Sequence, residues 1–253
     1  MPPVFCPATV LLYCKATGSR LVTDAHTSAR IWEVFAPLTK FVMRRSSISL
    51  VTNEEVKRRL TSSGIRSFVL EDAIPDLNSN SNVEVFQGSN IAVISTFAKD
   101  EPLEEVIRAA GMIPHVNFYV TGNLKFARNE HITNKPRNLF YTDFLDYEKY
   151  SSLLNSVDAI MVLTTNDNTM LSGACEAVAV GKPLITSNWS VLVKYFNKGT
   201  IHVNNTAEDI VEAVNKAISE KDRLTHEIKE LRSLRRKEWN YKFKELLRLL
   251  EIR

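Results

Sequence analysis

The chain has 253 residues, and its 32 basic and 29 acidic side chains leave a formal net charge of only +3. Because this charge is small and spread over many groups of both signs, it gives no reason to expect a nucleic-acid partner. No segment approaches the roughly 20 apolar residues of a bilayer-spanning helix, and residues 1–5 lack the basic start of a secretory signal. Composition therefore predicts a protein that is soluble or peripheral to a membrane.

The first part of the chain alternates between predicted strands and helices. Helices are predicted over 7–17, 29–44 and 53–60, the last capped by Asn53, and strands over 20–24, 48–51 and 67–70. Such alternation is typical of parallel βα units. Three strands are fewer than the roughly 4–6 of a usual open sheet, so we expect residues 1–77 to form only part of a domain.

A polar run over 71–82 predicts a hinge or linker, and a second, longer βα series follows it. Predicted strands lie at 91–95, 116–121, 139–141, 159–163, 184–187 and 200–203, with helices at 102–110, 147–156, 173–180, 191–196 and 207–219. This pattern predicts a doubly wound domain over 78–220. For residues 221–253, the spacing of apolar and charged residues predicts a long, charged helical segment.

The three cysteines, Cys6, Cys14 and Cys175, are odd in number and show neither CxxC spacing nor a cluster with histidine. We therefore expect reduced thiols in a cytoplasmic protein, without a disulfide. The sequence contains no pattern of metal ligands, so no metal site is predicted.

The segment ACEAVAVGKPLITSN, residues 174–188, places Glu176 on a helix of small apolar residues that ends at Gly181. An acid on such a helix should face water, a partner or a ligand. The loop over 163–173 follows a strand and leads into this helix, which is where parallel sheets bind phosphates. The loop could hold a diphosphate while Glu176 accepts two ribose hydroxyls. Alternatively, Glu176 is a surface acid, and Asp167 or Asn168 caps the helix.

Residues 168–185 resemble the donor-binding segment of retaining glycosyltransferases of the GT-B fold, family 4 in particular. The pattern of that family is E-P-F-G-x-x-x-x-E-A-x-A-x-G-x-P-V-I, and EAVAVGKPLI at 176–185 matches its second half. Weaker similarity extends over 144–159 and 21–27, so that the resemblance covers most of residues 20–220. It implies an α/β protein with two Rossmann-like domains of the GT-B type, the first incomplete, and a long C-terminal helical segment.

The resemblance also implies a domain division and roles for individual residues. Residues 1–77 would be the acceptor-side domain, 78–220 the nucleotide-sugar domain, and 221–253 a helix that docks back on the first domain. The donor would lie between the domains, and no metal or cofactor is implied. The implied contacts are Glu176 with the ribose, Asp167, Asn168, Thr169, Met170, Leu171 and Ser172 with the sugar and diphosphate, Lys99 with phosphate, and Tyr141 and Thr142 with the base.

His26 is the implied catalytic residue and Thr27 an acceptor-side residue. His26 could instead be a strand-end histidine bonded to backbone, and Lys99 a solvated loop lysine. Asn168 stands where the family has its first glutamate, and the glycine-rich loop of the first domain has no counterpart here.

Three functions remain open at this point. The first is transfer of a hexose from a nucleotide diphosphate sugar to a glycan or lipid-linked acceptor, with retention. The second is a non-catalytic or partner-dependent subunit or fragment that binds a nucleotide sugar, and the third is a nucleotide-sugar epimerase of the same fold. Because the first domain is incomplete, we also expect a second copy or a partner chain to complete it. The basic run 232–237 leaves peripheral membrane contact as an alternative to docking.

Overall fold

The computed structural model describes residues 5–25, 36–77 and 85–251, and the chain divides into two compact units. Unit 1 is drawn from Met1–Asp72, Asn168–Met170 and Lys237–Arg253, and unit 2 from Ala73–Asp167 and Leu171–Arg236. The domain boundaries at 77/78 and 220/221 stay predictions.

Unit 1 contains a parallel three-stranded sheet in the order β1-β2-β3. Its strands are β1 (Val22–Asp24), β2 (Ile48–Val51) and β3 (Ser67–Val69), and its helices are α1 (Phe5–Thr17), α2 (Ala36–Arg45) and α3 (Glu54–Ser62). The predicted cap is confirmed, since the side chain of Asn53 accepts a hydrogen bond from the N–H of Val56. Of the helix predicted over 29–44, residues 29–35 lie outside the described ranges.

Unit 2 contains a parallel six-stranded sheet in the order β6-β5-β4-β7-β8-β9. The strands are β4 (Ser89–Val93), β5 (Val116–Thr121), β6 (Leu139–Asp143), β7 (Ala159–Val162), β8 (Leu184–Ser187) and β9 (Thr200–Val203). The helices are α4 (Leu103–Met112), α5 (Asn129–Thr133), α6 (Tyr147–Ser156), α7 (Ser172–Val180), α8 (Ser190–Tyr195) and α9 (Ala207–Ser219), with a 3₁₀ turn at Leu124–Phe126. The predicted doubly wound α/β class is confirmed, and the strand order reverses between β4 and β7.

Alternation along the strands of unit 2 separates two faces of the sheet. Phe118 and Val120 of β5 are fully buried in a core cluster that also includes Val106 and Ala109 of α4. Tyr119, between them in sequence, contributes instead to an aromatic group on the other face, with its ring 5.6 Å from that of Phe140. Helices therefore cover both faces, and functional groups collect at the strand ends.

A long helix, α10 (Lys221–Leu249), follows β9 and α9. In unit 2 it buries Leu224, Ile228 and Leu231. In unit 1 its last turn and the residue that follows belong to a cluster with the sheet: Leu246, Leu250, Ile48 and Leu70. None of the helices in the described ranges has both the length and the apolar character needed to cross a bilayer.

Arginines of the basic run 232–237 bind main-chain carbonyl groups within unit 2. Arg232 donates to the carbonyl of Ala179 at 2.8 Å, Arg235 to that of Tyr195, and Arg236 to that of Pro75 at 3.0 Å. These three charges therefore have partners inside the protein. They orient the helix, as is usual for a helix with one docked face.

Gly173 allows the first turn of α7 to lie directly on the sheet. A Cβ atom at this position would be 2.9 Å from Cγ2 of Ile94 and 3.2 Å from Cγ1 of Val162. Both neighbours are β-branched side chains, Val162 on β7 and Ile94 directly after β4, and they have little freedom to move away. At the other end of the helix, Gly181 has φ 74° and closes the helix in the left-handed conformation that the sequence predicted.

We expect Gly173→Val to destabilise the protein by about 1–3 kcal/mol, the usual cost of overpacking a core. Gly111→Val is a matched control, because Gly111 is also helical and a Cβ there meets no atom within 4 Å. Urea denaturation of both variants checks this. Equal midpoints for the two variants would contradict the close approach of α7 to the sheet.

Candidate functional site

The loop that follows β4 is braced by an acid. The carboxylate of Glu101 accepts hydrogen bonds from the hydroxyl of Ser95 at 2.5 Å, and from the N–H and hydroxyl of Thr96 at 2.9 and 2.7 Å. Phe97, in the same loop, has a left-handed φ of 59° and donates its N–H to the hydroxyl of Ser95. Lys99 is exposed on this loop. Glu101 therefore holds the loop shape instead of facing a ligand.

The loop that follows β7 is tied to the loop after β4 through Asp100. The hydroxyl of Thr164 donates to the Asp100 carboxylate at 2.9 Å, and the N–H of Thr165 donates to the Asp100 carbonyl at 2.6 Å. The indole N–H of Trp189 donates to the carbonyl of Thr164 at 2.8 Å. Because β4 and β7 are adjacent, their carboxyl ends meet here, at the point where ligands bind in sheets of this type.

The predicted diphosphate loop is divided between the two compact units. Asn168, Thr169 and Met170 group with unit 1, where the side chain of Asn53 donates to the carbonyl of Asn168 at 3.3 Å. Asp167 and Leu171 group with unit 2. Among the described residues, the hydroxyl of Thr169 is buried without a hydrogen-bond partner.

Leu171 occupies the N-cap of α7, and Ser172 is the first residue of the helix. The alternative that Asp167 or Asn168 caps this helix is therefore wrong, because the loop runs three residues further before the helix begins. Leucine has no side-chain acceptor, so the N-cap residue makes no capping hydrogen bond. The first N–H groups of α7 thus keep the donor capacity and positive dipole that favour an anion.

Glu176 lies one turn further along α7 and is partly buried. Its Oε2 accepts a hydrogen bond of 2.5 Å from the hydroxyl of Tyr150 on α6. Burial raises the pKa of the Glu176 carboxyl above its ordinary value, and the hydrogen bond from Tyr150 opposes that rise. In the part of the chain that the structure describes, Glu176 has no ion pair and Oε1 accepts no hydrogen bond.

Tyr141 and Thr142 lie at the end of β6 and are already engaged. The hydroxyl of Tyr141 donates to the carbonyl of His131 at 2.9 Å, and burial raises its pKa to about 12. The hydroxyl of Thr142 donates to the carbonyl of Asp143 at 3.0 Å. Both residues border a cavity of about 320 Å³, which is otherwise lined by Phe86, Tyr119, Phe140, Leu145, Lys149 and Leu153.

His26 and Thr27 lie outside the described residues, so their predicted roles have no geometry here. The sequence analysis missed Tyr150 and the bracing acids Asp100 and Glu101. Tyr150 follows the N-cap Asp146 by one turn on α6, and this position near a helix start was its only signal. Its contact with Glu176 depends on the packing of α6 against α7.

Glu104, Glu130 and His131 come close enough to share one cation, with ligand atoms within 4.8 Å of one another. The sequence showed no metal-ligand pattern here, because Glu104 is distant in sequence from the other two residues. The guanidinium of Arg128 lies 3.1 Å from Glu104 and 3.5 Å from Glu130. This arginine already supplies the positive charge that the two acids require.

A protein-family model described as glycosyl transferase-like matches residues 99–247. Comparison with curated proteins gave no match. Among solved structures, Anabaena HepE in complex with UDP and glucose has a TM-score of 0.76 and 13% identity, over 96% of this chain and 75% of HepE. Sucrose-phosphate synthase from Thermosynechococcus elongatus has a TM-score of 0.77 and 15% identity, over 98% of this chain and 71% of that one.

Trehalose-6-phosphate synthase from Burkholderia multivorans is also similar, with a TM-score of 0.72 and 11% identity over 97% of this chain and 69% of that one. Because these identities are low, the likeness to the neighbours shows the fold alone. The family model covers more than half of the 253 residues. The predicted relationship is therefore confirmed: the chain belongs to the glycosyl transferase-like family and has the GT-B type of fold.

Proposed function

We propose that this chain binds a nucleotide diphosphate sugar through unit 2 and transfers its hexose, with retention, to a glycan or lipid-linked acceptor. The observation that carries the proposal is Glu176, a partly buried carboxylate that has a tyrosine hydroxyl and no cation as its described partner. The family of the chain supports the proposal. So do the complexes of the HepE neighbour with UDP and with UDP-glucose.

A ribose diol suits the carboxylate of Glu176. An ionised carboxylate has about four acceptor positions, and Tyr150 occupies only one of them. Two ribose hydroxyls can donate to the remaining positions and replace the water that burial has removed. A charge-assisted contact of this kind contributes about 1.5–3 kcal/mol to binding, enough for the ribose to help anchor the donor.

The diphosphate is proposed to lie at the uncapped start of α7. The first main-chain N–H groups of α7 have no acceptor within the helix, and Leu171 immediately precedes them. In this arrangement Asn168 contacts the hexose, Lys99 contacts phosphate, and Tyr141 and Thr142 contact the base. His26 is proposed to act beside the donor sugar, and Thr27 on the acceptor side.

A second candidate is a binding module that needs a partner for catalysis. Asp100 and Glu101 directly follow Lys99 in the loop after β4, and both acids hold loop structure. Loss of one oxyanion-type donor typically costs about 100-fold or more in rate, so weak compensation of a leaving diphosphate would make transfer slow. A combined binding and donor-turnover assay with UDP-glucose separates the candidates. Binding with turnover supports the transferase, and binding without turnover supports the module.

Replacement of Glu176 tests the ribose contact directly. We expect Glu176→Ala to weaken binding of UDP or GDP by about 1.5–3 kcal/mol, because a charge-assisted acceptor is lost. Titration calorimetry measures this, with Glu212→Ala, an exposed acid on α9, as the control. If both variants bind nucleotide as tightly as the parent, Glu176 is not in the site.

Asn168 provides a separate test of the layout. Because it is proposed to contact the hexose and not the nucleotide, Asn168→Ala should leave UDP affinity within about twofold, less than the effect of one neutral hydrogen bond. Affinity for UDP-glucose should fall in the same calorimetric series. A loss of UDP binding as large as that of Glu176→Ala would show that the two residues do not divide the donor in this way.

The raised pKa of Glu176 predicts a pH dependence. The ionised carboxylate accepts both ribose hydroxyls, whereas the protonated acid loses acceptor positions. As pH falls through this raised pKa, the advantage of the parent over Glu176→Ala in UDP affinity should shrink. The ratio of the two affinities removes the titration of the phosphates themselves. A constant ratio from pH 8 to pH 4.5 would contradict the role of the carboxylate.

A further inference from the structure

Tyr150 and Glu176 form a pair between neighbouring helices of unit 2. Tyr150 lies in the first turn of α6 and Glu176 just beyond the first turn of α7. Both helices begin near the carboxyl edge of the parallel sheet, because each follows a strand, β6 or β7. The pair therefore lies toward the edge where the donor is proposed to bind.

The hydrogen bond between them involves one carboxylate oxygen. Oη of Tyr150 lies 2.5 Å from Oε2 of Glu176, and no described residue donates to Oε1. A glutamate side chain has three rotatable bonds, whereas a tyrosine has a rigid ring and two. Tyr150 is partly buried and holds Oε2, so it can restrict the carboxylate to one orientation with Oε1 free.

The helix that carries Tyr150 is itself held in place. Asp146 caps α6 by accepting the N–H of Lys149 at 2.9 Å, and Leu153 and Leu154 of the same helix are buried. Tyr150 thus transmits the position of α6 to the carboxylate on α7. Without the tyrosine hydroxyl, the carboxylate of Glu176 would lose this restraint.

We propose that Tyr150 is a positioning residue that orients Glu176 toward the ribose diol and makes the site selective for ribose over 2′-deoxyribose. This inference rests on the proposed function, since it requires a nucleotide at Glu176. Selectivity follows because a fixed carboxylate accepts from both hydroxyls of a diol. When one hydroxyl is missing, part of the buried acceptor is left unpaired.

The test compares UDP with 2′-deoxy-UDP in titration calorimetry of the parent chain and Tyr150→Phe. This substitution removes only the hydroxyl and keeps the ring that packs against the helix. We expect Tyr150→Phe to bind UDP about 2- to 10-fold more weakly, the range for one hydrogen bond, and 2′-deoxy-UDP with a smaller loss. The preference for UDP should therefore fall.

Tyr147→Phe is the matched control, because Tyr147 is on the same helix and donates its hydroxyl to the carbonyl of Asp76 at 2.9 Å. It should keep the parent preference. In the Glu176→Ala background, Tyr150→Phe should cause no further loss of preference, since its effect acts through the carboxylate. Thermal unfolding of each variant shows whether the fold is retained.

The outcomes separate this inference from the proposed function. If the parent binds neither nucleotide, or Glu176→Ala keeps the parent preference, the proposed function fails. If Glu176→Ala abolishes the preference while Tyr150→Phe retains it, only the positioning role is overturned. If Tyr150→Phe loses the same factor of affinity for both nucleotides and unfolds at a lower temperature, Tyr150 has a structural role. That result would also overturn the positioning role.

Discussion

The parallel pairing of β4 with β7 is the constraint on which the candidate site depends. Ile91 pairs with Ala159, and Val93 with Met161, although the strands are separated by two complete βα units. This pairing joins the strands β6-β5-β4 to the strands β7-β8-β9, so the strand order reverses between β4 and β7. The loops after β4 and β7 must then meet, because no other strand lies between them.

Acids and hydroxyl groups hold these loops together. Asp100 and Glu101 accept hydrogen bonds from threonine and serine side chains and from main-chain N–H groups. Such bonds fix a loop before any ligand arrives, which reduces the entropy lost on binding. At the proposed diphosphate position these acids would disfavour negative charge. The two proposed functions therefore differ in whether the chain can compensate the charge of a leaving diphosphate.

Glu176 shows how packing changes the chemistry of a side chain. On an exposed helix, a glutamate would be an ordinary solvated acid. Here the small residues beside it let α7 approach the sheet, and Gly173 permits contact with Ile94 and Val162. The carboxylate becomes partly buried, its pKa rises, and a single tyrosine hydroxyl meets it. A ligand with two adjacent hydroxyl groups suits these remaining acceptor positions.

Much of the fold was predictable from local sequence signals, because hydrophobic periodicity and capping act over a few residues. Strands 116–121, 184–187 and 200–203 and helices 147–156 and 207–219 were predicted with the bounds they have in the structure. The position of Glu176 on its helix and the left-handed end at Gly181 followed from the same local rules. The short helical segments at 124–126 and 129–133 were missed, since they are too brief to show a period.

The sequence by itself determined the order of strands and helices, the family motif around Glu176, and the helix end at Gly181. Only the tertiary structure decided what those residues touch. The N-cap of α7 fell on Leu171 and not on Asp167 or Asn168, two residues before the close approach of Gly173 to Ile94 and Val162. Tyr150 met Glu176 because α6 packs beside α7, and Asp100 met Thr164 because β4 pairs with β7. These contacts join residues 26 and 64 positions apart, and no local pattern records such distances.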